Sequence, residues 1–426
     1  MSMLPLQGTR VLDLTRHLPG PYCSLALAEL GAEVIKVEQP QQGDPLRHMP
    51  WLGDRASEVL FGLVNRGKKS IALNLKASQG RDVFLRLVQT ADVLMEGFRP
   101  GVMKRLALDY APLAAVNPGL IYASLSGYGQ TGPYHMRAGH DLNYMALGGL
   151  LGVTGTPDGA LAIPGIPVAD LASALWAALG ISAALFGRQR AGRGQYLDIS
   201  IMESVTSLMV LPVMQWLGSG RMPQRGKLPL TGAQACYNAY RTADAGYMTL
   251  GALEPQFWRA FCLAVNREDW VARQGEEHQS ALIAEVAELF AAQPRAHWAD
   301  LFARHDCCCE PVLALDEAFS HPQAMERGLL HEGQLSLPLG RHGVPHARAP
   351  ELGEHTAELL GELGYTSEDL ESLRQQGSVV TPVRGAVRSV VRSARTRAFV
   401  VPPSGGLKVA SHGPDAVGRG KGVRTA

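Results

Sequence analysis

Gly139-His140-Asp141 and Pro167-Val168-Ala169-Asp170 place an imidazole and two carboxylates within one stretch, from Arg137 to Asp170. Such a set can move protons, because histidine titrates nearest neutrality and a carboxylate sheltered from water is raised toward it. The first group lies where a glycine-bearing polar loop gives way to Leu142-Asn143-Tyr144-Met145-Ala146-Leu147. His140 and Asp141 therefore read as the opening of a helix, with Asp141 its cap. Unpaired backbone N–H groups and the positive end of the helix dipole then face outward beside the imidazole, where an anion is stabilised. Asp170 repeats the pattern by opening Leu171 through Ile181, an alanine-rich apolar helix expected to be deeply buried. A carboxylate there is costly without a partner or a task. Taken singly, each has a plain structural role: an aspartate at a helix start is most often a cap, and a His-Asp neighbour pair most often a satisfied surface or core contact. Glu254 adds a third observation, an acid before Pro255 with Phe257 and Trp258 following on an otherwise apolar stretch.

The elements that must position these groups follow in chain order. Arg10–Leu14 reads as a buried strand. A Pro19-Gly20-Pro21 turn, a helix through Ala28-Glu29-Leu30, a stop at Gly31 and a second strand Glu33–Glu38 follow. This β-α-β unit points to a parallel, doubly wound sheet. Glu38 ends the second strand as the ribose-binding acid of NAD enzymes does, but the first turn carries prolines in place of G-x-G-x-x-G, which argues against a nicotinamide cofactor. Further strands are expected at Ile71–Lys76, Ala91–Glu96, Leu120–Ser126 and Tyr196–Ile201. Basic residues recur at their turns and ends, in Asn65-Arg66-Gly67-Lys68-Lys69-Ser70, in Gly97-Phe98-Arg99 and in Lys104-Arg105. Ligands bind at the carboxyl ends of such strands, so this rim suits a phosphorylated ligand, with Phe98 a flat surface for a base; its bland reading is a solvated basic edge.

The fold class expected is α/β, a large domain with an open parallel sheet plus a smaller α+β domain. Residues 1–205 form the first part of the large domain, 206–232 a Gly- and Pro-rich linker, 233–320 the small domain with paired strands at Ala235–Tyr240 and Gly246–Gly251, and 321–380 the return to the large domain. The helix bearing Met209, Met214 and Trp216 reads as core. Residues 381–426, with nine basic side chains against Asp415 alone, read as a disordered tail.

Composition bounds the function classes. Lys and Arg number 40 against 39 Asp and Glu in 426 residues, so the charge balance gives no reason to expect nucleic acid or an acidic membrane as partner. The six cysteines include Cys307-Cys308-Cys309, which lacks zinc-ligand spacing; reduced thiols in a cytoplasmic protein and no metal are expected. No signal segment and no uninterrupted apolar run of membrane-spanning length is read.

From Gly8 to about Val380 the chain resembles the class III CoA-transferase (CaiB/BaiF) superfamily. Gly139-His140-Asp141-Leu142-Asn143-Tyr144 and Leu253-Glu254-Pro255-Gln256-Phe257 look like its α-methylacyl-CoA racemase branch, the transferase branch usually having tyrosine where His140 stands. The resemblance implies a Rossmann-like large domain built from both ends of the chain and an interlocked homodimer, with the active site between the large domain of one subunit and the small domain of the other. It implies coenzyme A as part of an acyl-CoA substrate and no tightly bound cofactor. CoA contacts then fall on Leu73, Asn74, Leu75 and Lys76, on Gly97, Phe98 and Arg99, on Arg105, and on the loop from Gly139 to Tyr144. Catalytic positions fall on His140, Asp170 and Glu254, with Asp141 at the helix end that receives the thioester oxygen. Many racemases carry a basic residue where this chain has Gln39, and Lys36-Val37-Glu38 is more like the transferases. The activity implied is racemisation at carbon 2 of a 2-methylacyl-CoA; the alternative is CoA transfer between carboxylic acids through an aspartyl-CoA thioester on Asp170.

Overall fold

The computed structural model describes residues 4–156, 158–339 and 347–381. Six strands, β1 (Arg10–Asp13), β2 (Glu33–Glu38), β3 (Lys69–Leu73), β4 (Val93–Glu96), β5 (Ile121–Ser126) and β6 (Tyr196–Ser200), run parallel. Their spatial order is β3-β2-β1-β4-β5-β6, so the chain reverses its direction of travel across the sheet between β1 and β4. At such a switch point the loops leaving two neighbouring strands part and open a crevice.

Why these segments make this sheet is visible in their side chains. Strands β1 to β5 are buried on both faces and read as mostly apolar runs, as parallel sheets covered by helices require, while β6 at the edge exposes alternate residues. Alternate residues serve opposite faces. Leu12, Ile35, Leu94 and Tyr122 pack with Val83, Phe84 and Leu87 on one side. Val11, Val34, Met95 and Ala123 pack on the other against Ala174, Ala177 and Ile181 of the helix Val168–Ala191, whose small residues permit that close approach. The helix ends as its sequence predicts, with Arg188 and Arg190 in the last turn and Gly192 in the left-handed conformation, its N–H returning to the Arg188 carbonyl.

A second core lies beyond Gly232. Strands β7 (Tyr237–Arg241) and β8 (Tyr247–Gly251) form the expected antiparallel pair, and β9 (Cys309–Pro311) joins β8, a third strand that the cysteine triplet conceals in sequence. Trp258, Phe261, Trp270, Phe290 and Phe302 fill this core as a nest of aromatic rings. Strands β10 (Leu330–His331) and β11 (Gln334–Leu335) make a small hairpin, and β12 (Val379–Val380) adds to the edge of the large sheet antiparallel to β3. Both cores belong to one compact unit. The tail expected over residues 381–426 lies, from 382 onward, outside the described residues.

Three expectations are corrected. The helix carrying Asp170 is not deeply buried throughout, since Leu175, Trp176, Leu179 and Phe186 stand exposed. It spans 24 residues and is apolar enough to cross a membrane by length and composition, contrary to the reading that no such run exists, although its other face lies in the sheet's core. The helix Val210–Ser219 buries none of its residues, so Met214 and Trp216 are not core within this chain.

Candidate active site

His140 caps the helix Asp141–Leu147. Its backbone is extended and its N–H donates to Asn143 Oδ1 at 3.0 Å, while its carbonyl accepts from the amides of Asn143 and Tyr144. The capping position thus belongs to His140 rather than to Asp141. Asp141 instead turns away from its own helix and accepts from the backbone amides of Ala169 at 2.8 Å and Asp170 at 3.0 Å. The long helix has Pro167 before its first turn and no cap of its own; a carboxylate nearly thirty residues upstream supplies it. This one side chain brings the two halves of the sequence signal together.

The consequence for Asp170 is electrostatic. Burial in the first turn and the neighbouring negative charge of Asp141 raise its carboxyl from an ordinary 3.8 to about 7. Asp141 is itself raised by burial, held back by the two amides it accepts from. A carboxyl near 7 is matched to proton transfer at neutral pH, since it both takes and gives a proton there. Tyr144 closes the base of the site. Its hydroxyl donates to the Gly139 carbonyl at 2.7 Å and its ring meets Tyr128 edge-on, with burial raising the phenol to about 12. A Cβ on Gly139 would lie 2.7 Å from the Tyr144 ring, and one on Gly127 2.5 Å from its hydroxyl, so both positions demand glycine.

The strand ends sort the basic residues. Lys36 is fully buried and bridges Asp44 at 2.7 Å and the Thr15 carbonyl at 3.0 Å. Lys68 is also buried, among Asp13, Ser24, Asn65 and the Pro21 carbonyl, and burial lowers its ammonium to about 8. Asp13, against the cost of burial, is held at about 2 by these two lysines. Lys69 pairs with Glu33 and Glu358 at the opposite end of its strand. The basic turn Asn65–Ser70 therefore does not face a ligand. Nor does Glu38 face a ribose; it is spent on Arg47, Ser70 and the Asp44 amide. By contrast Asn74, Leu75, Lys76, Gly97, Phe98, Arg99 and Arg105 all follow the carboxyl ends of β3 and β4, on the edge where the loop to His140 begins. Leu73 is the exception, its side chain packed in the sheet's core. Beneath Phe98, burial raises Glu96 to about 7; it accepts from the Phe98 amide and the Ser124 hydroxyl. Glu254 precedes the helix Pro255–Ala264 and is exposed. Among the described residues no hydrogen bond or ion pair joins it to His140 or Asp170.

Residues 6–356 match the CoA-transferase family III. The chain belongs to that family. It is 38% identical over 381 residues to the α-methylacyl-CoA racemase of Mus musculus, covering 86% of this chain and 96% of that protein. It is 35% identical over 377 residues to the acetyl-CoA:oxalate CoA-transferase of Acetobacter aceti, covering 84% and 95%. The crystal structure of a CAIB/BAIF family protein from Brucella suis superposes with a TM-score of 0.72 at 30% identity, covering 85% of this chain and all of that one. Racemases and CoA-transferases thus both stand at similar distance from this family member, and its relatives act on CoA thioesters.

What the sequence reading missed in this CoA-transferase family member is the layer under the site. Asp13, Lys36, Asp44 and Glu96 are charged residues in or beside buried strands, and a charge inside an otherwise apolar run is the signal that would have marked them.

Proposed function

We propose that this chain racemises 2-methylacyl-CoA thioesters by proton transfer at carbon 2. The observation that carries the reading is the raised Asp170 carboxyl beside the helix that His140 opens. One residue takes the proton from one face of carbon 2 as the C–H electron pair moves toward the thioester oxygen, forming an enolate. The other returns a proton to the opposite face as that pair comes back. The residues then hold each other's former protonation state, so the same pair serves the reverse direction. The enolate oxygen is received at the start of the Asp141 helix, where a backbone amide stabilises developing negative charge.

The active unit in this proposal is an interlocked homodimer. Support comes from the exposed apolar side chains on the Val168–Ala191 and Val210–Ser219 helices, together with Ile163 and Ile166, groups of the kind that gather at interaction surfaces. The small domain of the second copy brings Glu254 to His140, fixing its tautomer. Mixed dimers of His140→Ala and Glu254→Ala chains test this: they regain activity because one of their two sites is intact. Mixtures as inactive as either parent overturn the shared site. The six free thiols among the described residues suit the cytoplasmic setting proposed with it.

The deciding experiment is solvent deuterium exchange at carbon 2 of a chiral 2-methylacyl-CoA with no acceptor acid present. Exchange with loss of chirality is expected. No exchange, but CoA transfer once a carboxylic acid is added, favours the reading carried by the transferase relatives and makes Asp170 a nucleophile.

A further inference from the structure

The loop leaving β1 is held more firmly than a connection needs. Thr15 donates its amide, at 2.9 Å, and its hydroxyl to Asp13, and its carbonyl accepts from Lys36. Two residues on, His17 adopts a left-handed backbone with φ of 65°, and its amide reaches Asp44 Oδ1 at 3.3 Å. That conformation is strained for a residue with a Cβ and persists only where its surroundings over-determine it. Here the surroundings are the buried Lys36–Asp44 pair, which grips both Thr15 and His17. A Cβ on Gly20 would lie 2.1 Å from the Thr15 side chain, so the chain is also closed from below.

Between the two pinned residues stands Arg16. Its side chain is exposed, and its guanidinium lies 5.0 Å from the centre of the Phe98 ring. The contact spans the loops after β1 and β4, the two sides of the switch point. Among the described residues Arg16 makes no ion pair and no hydrogen bond, unlike Lys36, Lys68 and Arg47 on the same edge. Lying against the ring leaves the N–H fork of the guanidinium unspent, and that planar fork fits a phosphate with two parallel hydrogen bonds.

We propose that Arg16 binds a phosphate of the nucleotide half of CoA, and that the buried Lys36–Asp44 pair positions it by pinning the turn from Thr15 to His17. The assignment rests on the CoA-thioester reading of this site and is indifferent to whether the reaction is racemisation or transfer. Calorimetric titration with CoA, and in parallel with pantetheine, which lacks every phosphate, tests it without turnover. Arg16→Gln is expected to weaken CoA about tenfold to hundredfold, the loss of charged hydrogen bonds, and to leave pantetheine unchanged, with Arg16→Lys between. Unchanged CoA affinity, or equal losses for both ligands, overturns the assignment. Asp44→Asn is expected to weaken CoA in the unmodified chain but to add nothing in the Arg16→Gln background; additive losses overturn the positioning role. If Asp44→Asn fails to fold, the Arg16 variants still decide the binding role. Carbon-2 exchange in the unmodified protein reports separately on the racemase reading, so the two can fail independently.

Discussion

Asp170→Asn is expected to lower carbon-2 exchange by about 10²- to 10⁴-fold, the range a positioned acid-base group contributes, while CoA still binds. The same variant will not be an unstable protein. Asp170 has a native pKa near 7 against an ordinary 3.8, so between those values the folded chain holds a proton that the unfolded chain has released. Stability therefore falls as pH rises through that window, and asparagine, which cannot ionise, removes the fall. Thermal unfolding at pH 5 and pH 8 will show a smaller difference in the variant than in the unmodified protein. An Asp170→Asn chain that retains full exchange removes Asp170 from the chemistry.

Asp141→Asn and Asp141→Ala will separate two roles of one carboxylate. Asparagine keeps an oxygen to accept from the Ala169 and Asp170 amides but removes the negative charge that helps raise Asp170. The limb of the rate profile set by Asp170, near pH 7 in the unmodified protein, then moves to lower pH. Alanine loses the acceptor as well. It costs about 1 kcal/mol, and no more than about 2, of helix capping, and it frees Asp170 from its alignment, for which a loss of about 10²-fold in rate is in scale. Both epimers must give the same profile, because the equilibrium between them does not depend on pH and each direction needs one proton on the His140–Asp170 pair. A profile that only rises through pH 7, with carboxylic acid required, belongs to transfer.

Most of the large sheet was legible because its strands are apolar runs between turn residues, a signal local to each segment. Strand β3 was misplaced toward Lys76, since Leu73 ends its pairing and Asn74 passes its amide to Ser378, a partner three hundred residues away. The same limit hid the tie between Asp141 and the second helix. A cap is visible in sequence when acceptor and donors share a turn, and not when they are 28 and 29 residues apart. His140 and Asp170 were legible as types, but their relation was a tertiary fact. Basic residues misled for another reason: composition shows a lysine but not whether a buried aspartate has already claimed it, as Asp44 claims Lys36 and Asp13 claims Lys68. The apolar helices were read as core because hydropathy reports what shuns water, not whether this chain buries it.

Strand β12 gives the sheet a history in time. It pairs Ala72 and Leu73 on the outer edge of β3, where His355 and Thr356 hold Ser70 and Ala72, yet all of these partners leave the ribosome about three hundred residues later. Until then a nascent chain carries a finished nucleotide-type sheet with one long side unpaired, the kind of edge that recruits strands from neighbouring molecules. A chain cut short before Val379 keeps every residue assigned to the chemistry here and leaves Ala72 and Leu73 without their strand partner on that edge. Expression losses in such truncations will therefore register as insolubility rather than as altered turnover.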